Sequence, residues 1–338
     1  MTGQLERAIA DLARKWVPDP RLGVFEVSVQ RGALAGCTTS RDALAALRRT
    51  AADAGLAADV RLLPDASVGE EPAAVVTAAV APLQREPRVS SDRVSEALHG
   101  ETLAVLERRE GGAWLRVRAG DGYHAWMHTG YVALGTTDWA EDWMARATAR
   151  SLGAELRCEG ARFRLALGTG AALRRNGQVE TADGRVWDVI AGAVRPEPEV
   201  RAEARHLAAP EWALRWFSGA PYLWGGRTEW GIDCSGLVQA TYGARGVILP
   251  RDSDMQSVIG REVPIAPTGA GYEAGDLLFF ADGRRISHVA LWAGAGRMVH
   301  AALSRGGVVS DDLFGDMPAA NRLRDFLVAV RRPLSLRA

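Results

Sequence analysis

One of the chain's three cysteines, Cys234, stands in "PYLWGGRTEWGIDCSGLVQA" (221–240), where a glycine-rich loop runs into a helix-like stretch. After it, Leu237 with Thr241 and Val238 with Tyr242 keep the i,i+4 spacing of a helix until Gly246. Unpaired N–H groups and the positive end of the helix dipole favour a thiolate at such a position. The expectation is a thiol of lowered pKa, exposed beside a flexible loop. A nucleophilic thiol also needs a base. "DLLFFADGRRISHVALWAGAGRMVHAA" (276–302) reads as three strands, with turns at Asp282-Gly283 and Ala293–Gly296, and carries His288 and His300. Their midpoint, 294, falls in the second turn. A three- or five-residue loop there sets the histidines directly opposite each other, whereas a four-residue loop slips them by one. His288 is the expected general base, and His300 the group that orients its ring. These ligand types lack the paired spacing of a zinc site, so neither metal nor cofactor is implied.

Four regions are expected to carry this constellation. Residues 1–72 read as an α/β segment of unassigned role: an amphipathic helix with Leu5, Ile9, Leu12 and Trp16 on one face, the alternating strand "VFEVSVQ", a helix over 40–55 capped by Ser40, and a strand at "ADVRLLP". Residues 73–135 show short strands broken by Gly111-Gly112 and Asp121-Gly122, which suggests a small β-barrel. Residues 136–200 repeat that texture as a second, more divergent barrel, and "VRPEPEV" (194–200) reads as a linker because two prolines interrupt helix and ladder alike. Residues 201–338 hold the chemistry. His99, His124, His128 and His206 show no partner pattern and read as surface or packing residues.

Composition excludes several classes of partner. Lys+Arg and Asp+Glu both count 41, so the zero net charge offers no attraction for nucleic acid or an acidic membrane. No apolar run has the length of a membrane span. Three widely separated cysteines do not make a disulfide framework. The first residues, with Glu6 and Asp11, do not read as a signal peptide, so a reducing cytoplasm is the expected compartment.

The blocks "PYLWGG…GIDCSGL…LPRDSDMQ…AGDLLFF…ISHVALW…MVHA" resemble the NlpC/P60 cysteine peptidases over about 210–333, in the family's order. The tryptophan, "RV", "DGY" and "AWM" pattern upstream resembles bacterial SH3 (SH3b) domains. Together they resemble the dipeptidyl-peptidase VI branch, the γ-D-glutamyl-L-diamino acid endopeptidases. The resemblance implies an α+β fold, with a papain-like catalytic domain behind two SH3b-like barrels. It implies Cys234 as nucleophile, His288 as base, His300 as third member, and Tyr222 as oxyanion donor. Asp233, Ser235 and Trp224 would line the cleft, with Asp252 and Ser253 opposite. Tyr123 and Glu96 of the first barrel would help bind a free α-amine. The implied substrate is a murein peptide, L-Ala-γ-D-Glu-diamino acid, cut during wall-peptide recycling. A secreted wall-remodelling endopeptidase and a catalytically inactive wall-peptide binder are the rivals. Whether the diamino acid is diaminopimelate or lysine, and how the chain oligomerises, cannot be read from the residues.

Overall fold

The computed structural model describes residues 2–315 and 318–333. They form two compact units, the first made of residues 1–75, 84–92 and 102–141, the second of 76–83, 93–101 and 142–338.

In the first unit, helices Thr2–Trp16 and Arg41–Asp53 cover a three-stranded sheet of Phe25–Gln30, Ala33–Thr38 and Ala57–Leu62. Ile9, Leu34, Leu44, Leu47 and Val60 are buried together between these layers. Ser40 caps the second helix as expected, its Oγ accepting from the Ala43 N–H at 3.1 Å. The strand Ala33–Thr38 was not anticipated. Of its residues only Thr38 is β-branched, and Gly36 is there because a Cβ would lie 1.8 Å from the Glu26 carbonyl oxygen across the ladder. Further along, strands Ala73–Val76, Thr102–Arg109, Trp114–Arg118, His124–His128 and Val132–Gly135 bury Val75, Leu103, Leu115, Val117 and Met127. Arg116, 2% exposed, lies among them and is ion-paired to Glu107 at 2.9 Å and Glu26 at 2.8 Å.

The second unit holds an antiparallel seven-stranded sheet packed around Leu156, Leu165, Val179 and Trp187. The expected linker at 194–200 is instead ordered structure. Val194–Pro196 is the edge strand of that sheet, and helix Glu197–His206 starts immediately after it. An edge strand can lack an N–H, as can the first turn of a helix, so both prolines are accommodated. Glu229 ties this sheet to the chain beyond, its carboxylate accepting from the Leu167 N–H at 3.0 and 3.2 Å.

The C-terminal part is a six-stranded antiparallel sheet in the order Arg261–Val263, Leu327–Arg332, Leu277–Asp282, Arg285–Gly294, Arg297–Ala302, Gly307–Asp312. Alternation along the central strands splits the core in two. Leu277, Phe279, Val289, Leu291 and Val299 pack with Trp212, Phe217, Leu237 and Val238 of helices Ala209–Phe217 and Cys234–Gly243. Leu278, Phe280, Ala290, Trp292 and Met298 pack on the other side with Val330 and Leu313. The fold is α+β. Among the described residues, no helix is long and apolar enough to cross a membrane.

His99 is fully buried in the second unit, so it belongs to packing, but it also has polar partners. Its Nδ1–H donates to the Thr77 carbonyl at 3.0 Å, and its Nε2 accepts from the Ala182 N–H at 3.0 Å. Burial holds its pKa below the ordinary value. Protonating Nε2 would also turn an acceptor into a donor facing the Ala182 N–H. The unfolded chain therefore binds a proton that the folded chain refuses. The stability this gives is complete above the ordinary histidine pKa of about 6.5 and is lost as pH falls below it. His124 and His288 are shifted the same way. Urea unfolding between pH 8 and 5 should show stability falling with acid, and His99→Gln should remove one histidine's share, up to about 1.4 kcal/mol per pH unit. An unchanged slope would show that His99 is protonated in the fold.

Candidate active site

Cys234 is the first residue of helix Cys234–Gly243, and Asp233 is its N-cap. The Asp233 carboxylate accepts from the Gly236 N–H at 2.7 Å and from the Gly225 N–H at 2.9 Å, so one side chain ties the helix start to the glycine loop. Gly236 has to be glycine, since a Cβ there would lie 2.3 Å from the Gly226 carbonyl oxygen. Arg251, 1% exposed, closes the arrangement from the "LPRDS" segment. Its guanidinium reaches both Asp233 oxygens, at 2.7 and 3.0 Å, and also donates to the Ser235 and Ser95 hydroxyls at 2.9 and 3.0 Å.

Asp233 and Ser235, expected beside the substrate, are each as little exposed as Cys234, and their polar atoms serve Arg251 and the helix start. The expected exposed, acidic thiol is not found. Cys234 is 6% exposed, and burial pushes its pKa up to about 12, with the Asp233 charge adding to the shift. The N–H groups of Val289 and Ser235 and the Arg251 charge pull the other way and are outweighed. The helix N-terminus is present, but its stabilisation of an anion is smaller than the cost of desolvating one.

The Val289 N–H that meets the thiol belongs to the residue after His288, so the backbone brings Cys234 to the histidine strand. His288 Nε2 lies 2.7 Å from His300 Nδ1. The two are not directly opposite. The turn has two residues, Ala295 and Gly296, both at positive φ, and the register shifts between Trp292 and Gly294. With Leu291 opposite Val299 and Trp292 opposite Met298, His300 falls opposite Ala290. His288 is then two places away, a diagonal neighbour on the same face.

His300 Nε2 lies 3.2 Å from Asp311 Oδ2, and Asp311 Oδ1 is ion-paired to Arg305 at 3.3 Å. The Asp311 pKa is lowered, first by its hydrogen bond to His300. An ionised carboxylate only accepts, so His300 donates from Nε2 and its Nδ1 is an acceptor. His288 must then donate from Nε2, which leaves its Nδ1 lone pair as the one basic nitrogen. Burial draws the half-buried His288 down to about 3, with repulsion from His300 second, so it rests neutral. The site thus combines a buried thiol with raised pKa and an imidazole with lowered pKa, a pairing in which a nucleophile would form only by proton transfer from sulfur to nitrogen.

Tyr222 is half-buried, and its hydroxyl pKa is raised by burial and by the proximity of Cys234 and Asp233, so it stays an O–H donor. Trp224 is 63% exposed on the loop. Asp252 is half-buried at the cap of the short helix Ser253–Gln256, and Ser253 is buried. Glu96, 3% exposed, lies on strand Arg93–Leu98, with its carboxylate accepting from Arg93 at 2.6 Å and from the Arg227 N–H at 2.9 Å. Burial raises its pKa. Tyr123 is buried in the first unit. Arg251 and Asp311 were missed. Arg251 sits inside the quoted "LPRDS" block, and Asp311 is the fifth residue of the short strand-like run "GVVSDD". Among the described residues, no group of three or more His, Cys, Asp or Glu side chains is arranged to hold a metal ion.

Removing Arg251 leaves the buried Asp233 charge unpaired. Arg251→Met should lower the unfolding free energy by about 3–5 kcal/mol, measured by urea denaturation. A loss below about 1 kcal/mol, typical of an exposed pair, would show that the pair is not the anchor of the helix start.

The NlpC/P60 family profile matches residues 219–326, and that of the bacterial dipeptidyl-peptidase SH3 domain matches residues 83–130. A gamma-D-glutamyl-L-lysine dipeptidyl-peptidase of Bacillus subtilis (strain 168) is 45% identical over 87 residues, 25% of this chain and 28% of that protein. The chain thus matches little more than a quarter of that relative's length. Dipeptidyl-peptidase 6 of Lysinibacillus sphaericus is 28% identical over 250 residues, 68% of this chain and 88% of that one. An NlpC/P60 family protein from Bacillus cereus ATCC 10987 has the same fold, with a TM-score of 0.62 at 20% identity over 77% of this chain and 99% of that one. This chain carries an NlpC/P60-family domain, preceded by a bacterial dipeptidyl-peptidase SH3 domain.

Proposed function

We propose that the chain is a cysteine endopeptidase that hydrolyses the γ-D-Glu–diamino acid bond of murein peptides bearing a free N-terminal L-Ala. The carrying observation is a buried thiol at a helix N-terminus, beside a histidine strand whose hydrogen bonds leave one imidazole nitrogen basic. His288 Nδ1 takes the Sγ proton as sulfur bonds to the γ-carbonyl carbon. The Cys234 N–H and the Tyr222 hydroxyl stabilise the oxyanion. His288 then returns the proton to the leaving α-amine as the C–N bond breaks, and water cleaves the thioester.

The names of the relatives support the substrate class, since one is a gamma-D-glutamyl-L-lysine dipeptidyl-peptidase. Within this proposal, Asp252 and Ser253 receive the substrate ammonium. Glu96 already accepts from Arg93 and Arg227, so it holds the Arg227 end of the loop and adds negative charge there. An L-Ala whose amine is still amide-linked to the wall offers no ammonium. A site of this kind therefore suits released peptides and cytoplasmic recycling over intact wall.

Mass spectrometry of L-Ala-γ-D-Glu-diaminopimelate and its N-acetylated form, with wild type and Cys234→Ala, tests the reading. L-Ala-D-Glu should be released from the free peptide only, and the variant should lose at least about 10⁴-fold in rate. Cleavage of both peptides would overturn the amine requirement and favour a wall-remodelling endopeptidase. Cleavage of neither, nor of L-Ala-γ-D-Glu-L-Lys run beside them, would overturn the proposed activity and favour a wall-peptide binder or another acyl substrate.

A further inference from the structure

Resting on that reading, we infer that Asp311, oriented by Arg305, is a positioning residue that selects which nitrogen of His288 is the base. The geometry is continuous. Asp311 is opposite Met298, and Val309 is opposite His300, so Asp311 stands to His300 as His300 stands to His288, one strand across and two places along. The face repeats because both offsets are even. Asp311 and His300 are 3% and 1% exposed, so water does not compete for their hydrogen bond. Arg305 holds the other carboxylate oxygen, which leaves Oδ2 for His300. Arg297, further off, adds a second positive charge on Asp311.

The tautomers follow from an acceptor-only group at the end of the chain. With a donor in place of Asp311 Oδ2, His300 would carry its proton on Nδ1 and present it to His288 Nε2. Neutral His288 would then be protonated on Nδ1, with no lone pair for the thiol. Asp311→Asn supplies such a donor through its amide while keeping the shape of the side chain.

The test combines kinetics with nitrogen-15 NMR of histidine-labelled protein. In wild type, His288 and His300 should both be Nε2–H tautomers, and in Asp311→Asn His300 should become Nδ1–H. The kcat of Asp311→Asn should fall about 10²–10⁴-fold with KM within about threefold, the pattern of a wrong-tautomer base. Arg305→Gln, at a partly exposed side chain, should lose about 3–10-fold and keep the wild-type tautomers, which covers the case of a misfolded Asp311→Asn. A wild-type His300 protonated on Nδ1 would overturn the inference, as would full kcat in Asp311→Asn. If wild type cleaves no murein peptide, the proposed function fails, and the tautomers still decide the role of Asp311.

Discussion

The region around Cys234 is organised around one buried ion pair, Asp233 with Arg251. Such a pair gains little net energy, since Coulomb attraction barely offsets desolvation, but removing one partner strands a charge. The segments that must converge at Cys234 are all tied to it: the glycine loop through the Gly225 N–H, the helix start through the Gly236 N–H, and the "LPRDS" segment through Arg251 itself. Strand Arg93–Leu98 joins through the Ser95 hydroxyl and through Glu96 on Arg227. The negative charge that positions the helix also opposes ionisation of the thiol next to it. Positional order at Cys234 thus comes with a raised thiol pKa, and in the proposed mechanism the histidines supply the activation.

That activation rests on sheet register. The bulge between Trp292 and Gly294 moves the register by one residue, so that His288 lies two places from the position opposite His300 instead of three, and both rings fall on one face. On the far side of the central strand, a second irregularity falls between Phe280 and Ala281, beside His288. Bulges of this kind re-aim side chains, and here three polar groups on three strands form one line, His288 to His300 to Asp311. The line ends in a carboxylate, so proton positions along it follow from hydrogen-bond valence.

Much of this was legible in the residues. The helix start at Cys234, the hairpin carrying both histidines and the Ser40 cap are local signals, and local signals survive folding. Register was not legible, because a two-residue turn plus a bulge and a longer loop leave similar glycine- and alanine-rich sequences. The thiol pKa was misjudged for a related reason. The helix dipole can be read from position, while burial and the inward turn of Asp233 are tertiary facts. Arg251 and Asp311 acquire meaning only through partners 18 and 11 residues away in sequence. The strand Ala33–Thr38 and the ordered 194–200 segment were hidden because alanine, glycine and proline are poor strand formers that edge and close-approach positions nonetheless accept.

In the proposed mechanism, peptide cleavage passes through a thioester on Cys234. Hydroxylamine added to a reaction on L-Ala-γ-D-Glu-diaminopimelate tests it directly, because the amine intercepts a thioester whether or not that intermediate accumulates. The L-Ala-D-Glu product should divide between the γ-hydroxamate and the free acid in proportion to hydroxylamine concentration, while diaminopimelate release by wild type stays constant if acylation limits the rate. Release of the free acid alone at every hydroxylamine concentration would mean that water attacks the peptide directly, and would contradict a covalent role for Cys234.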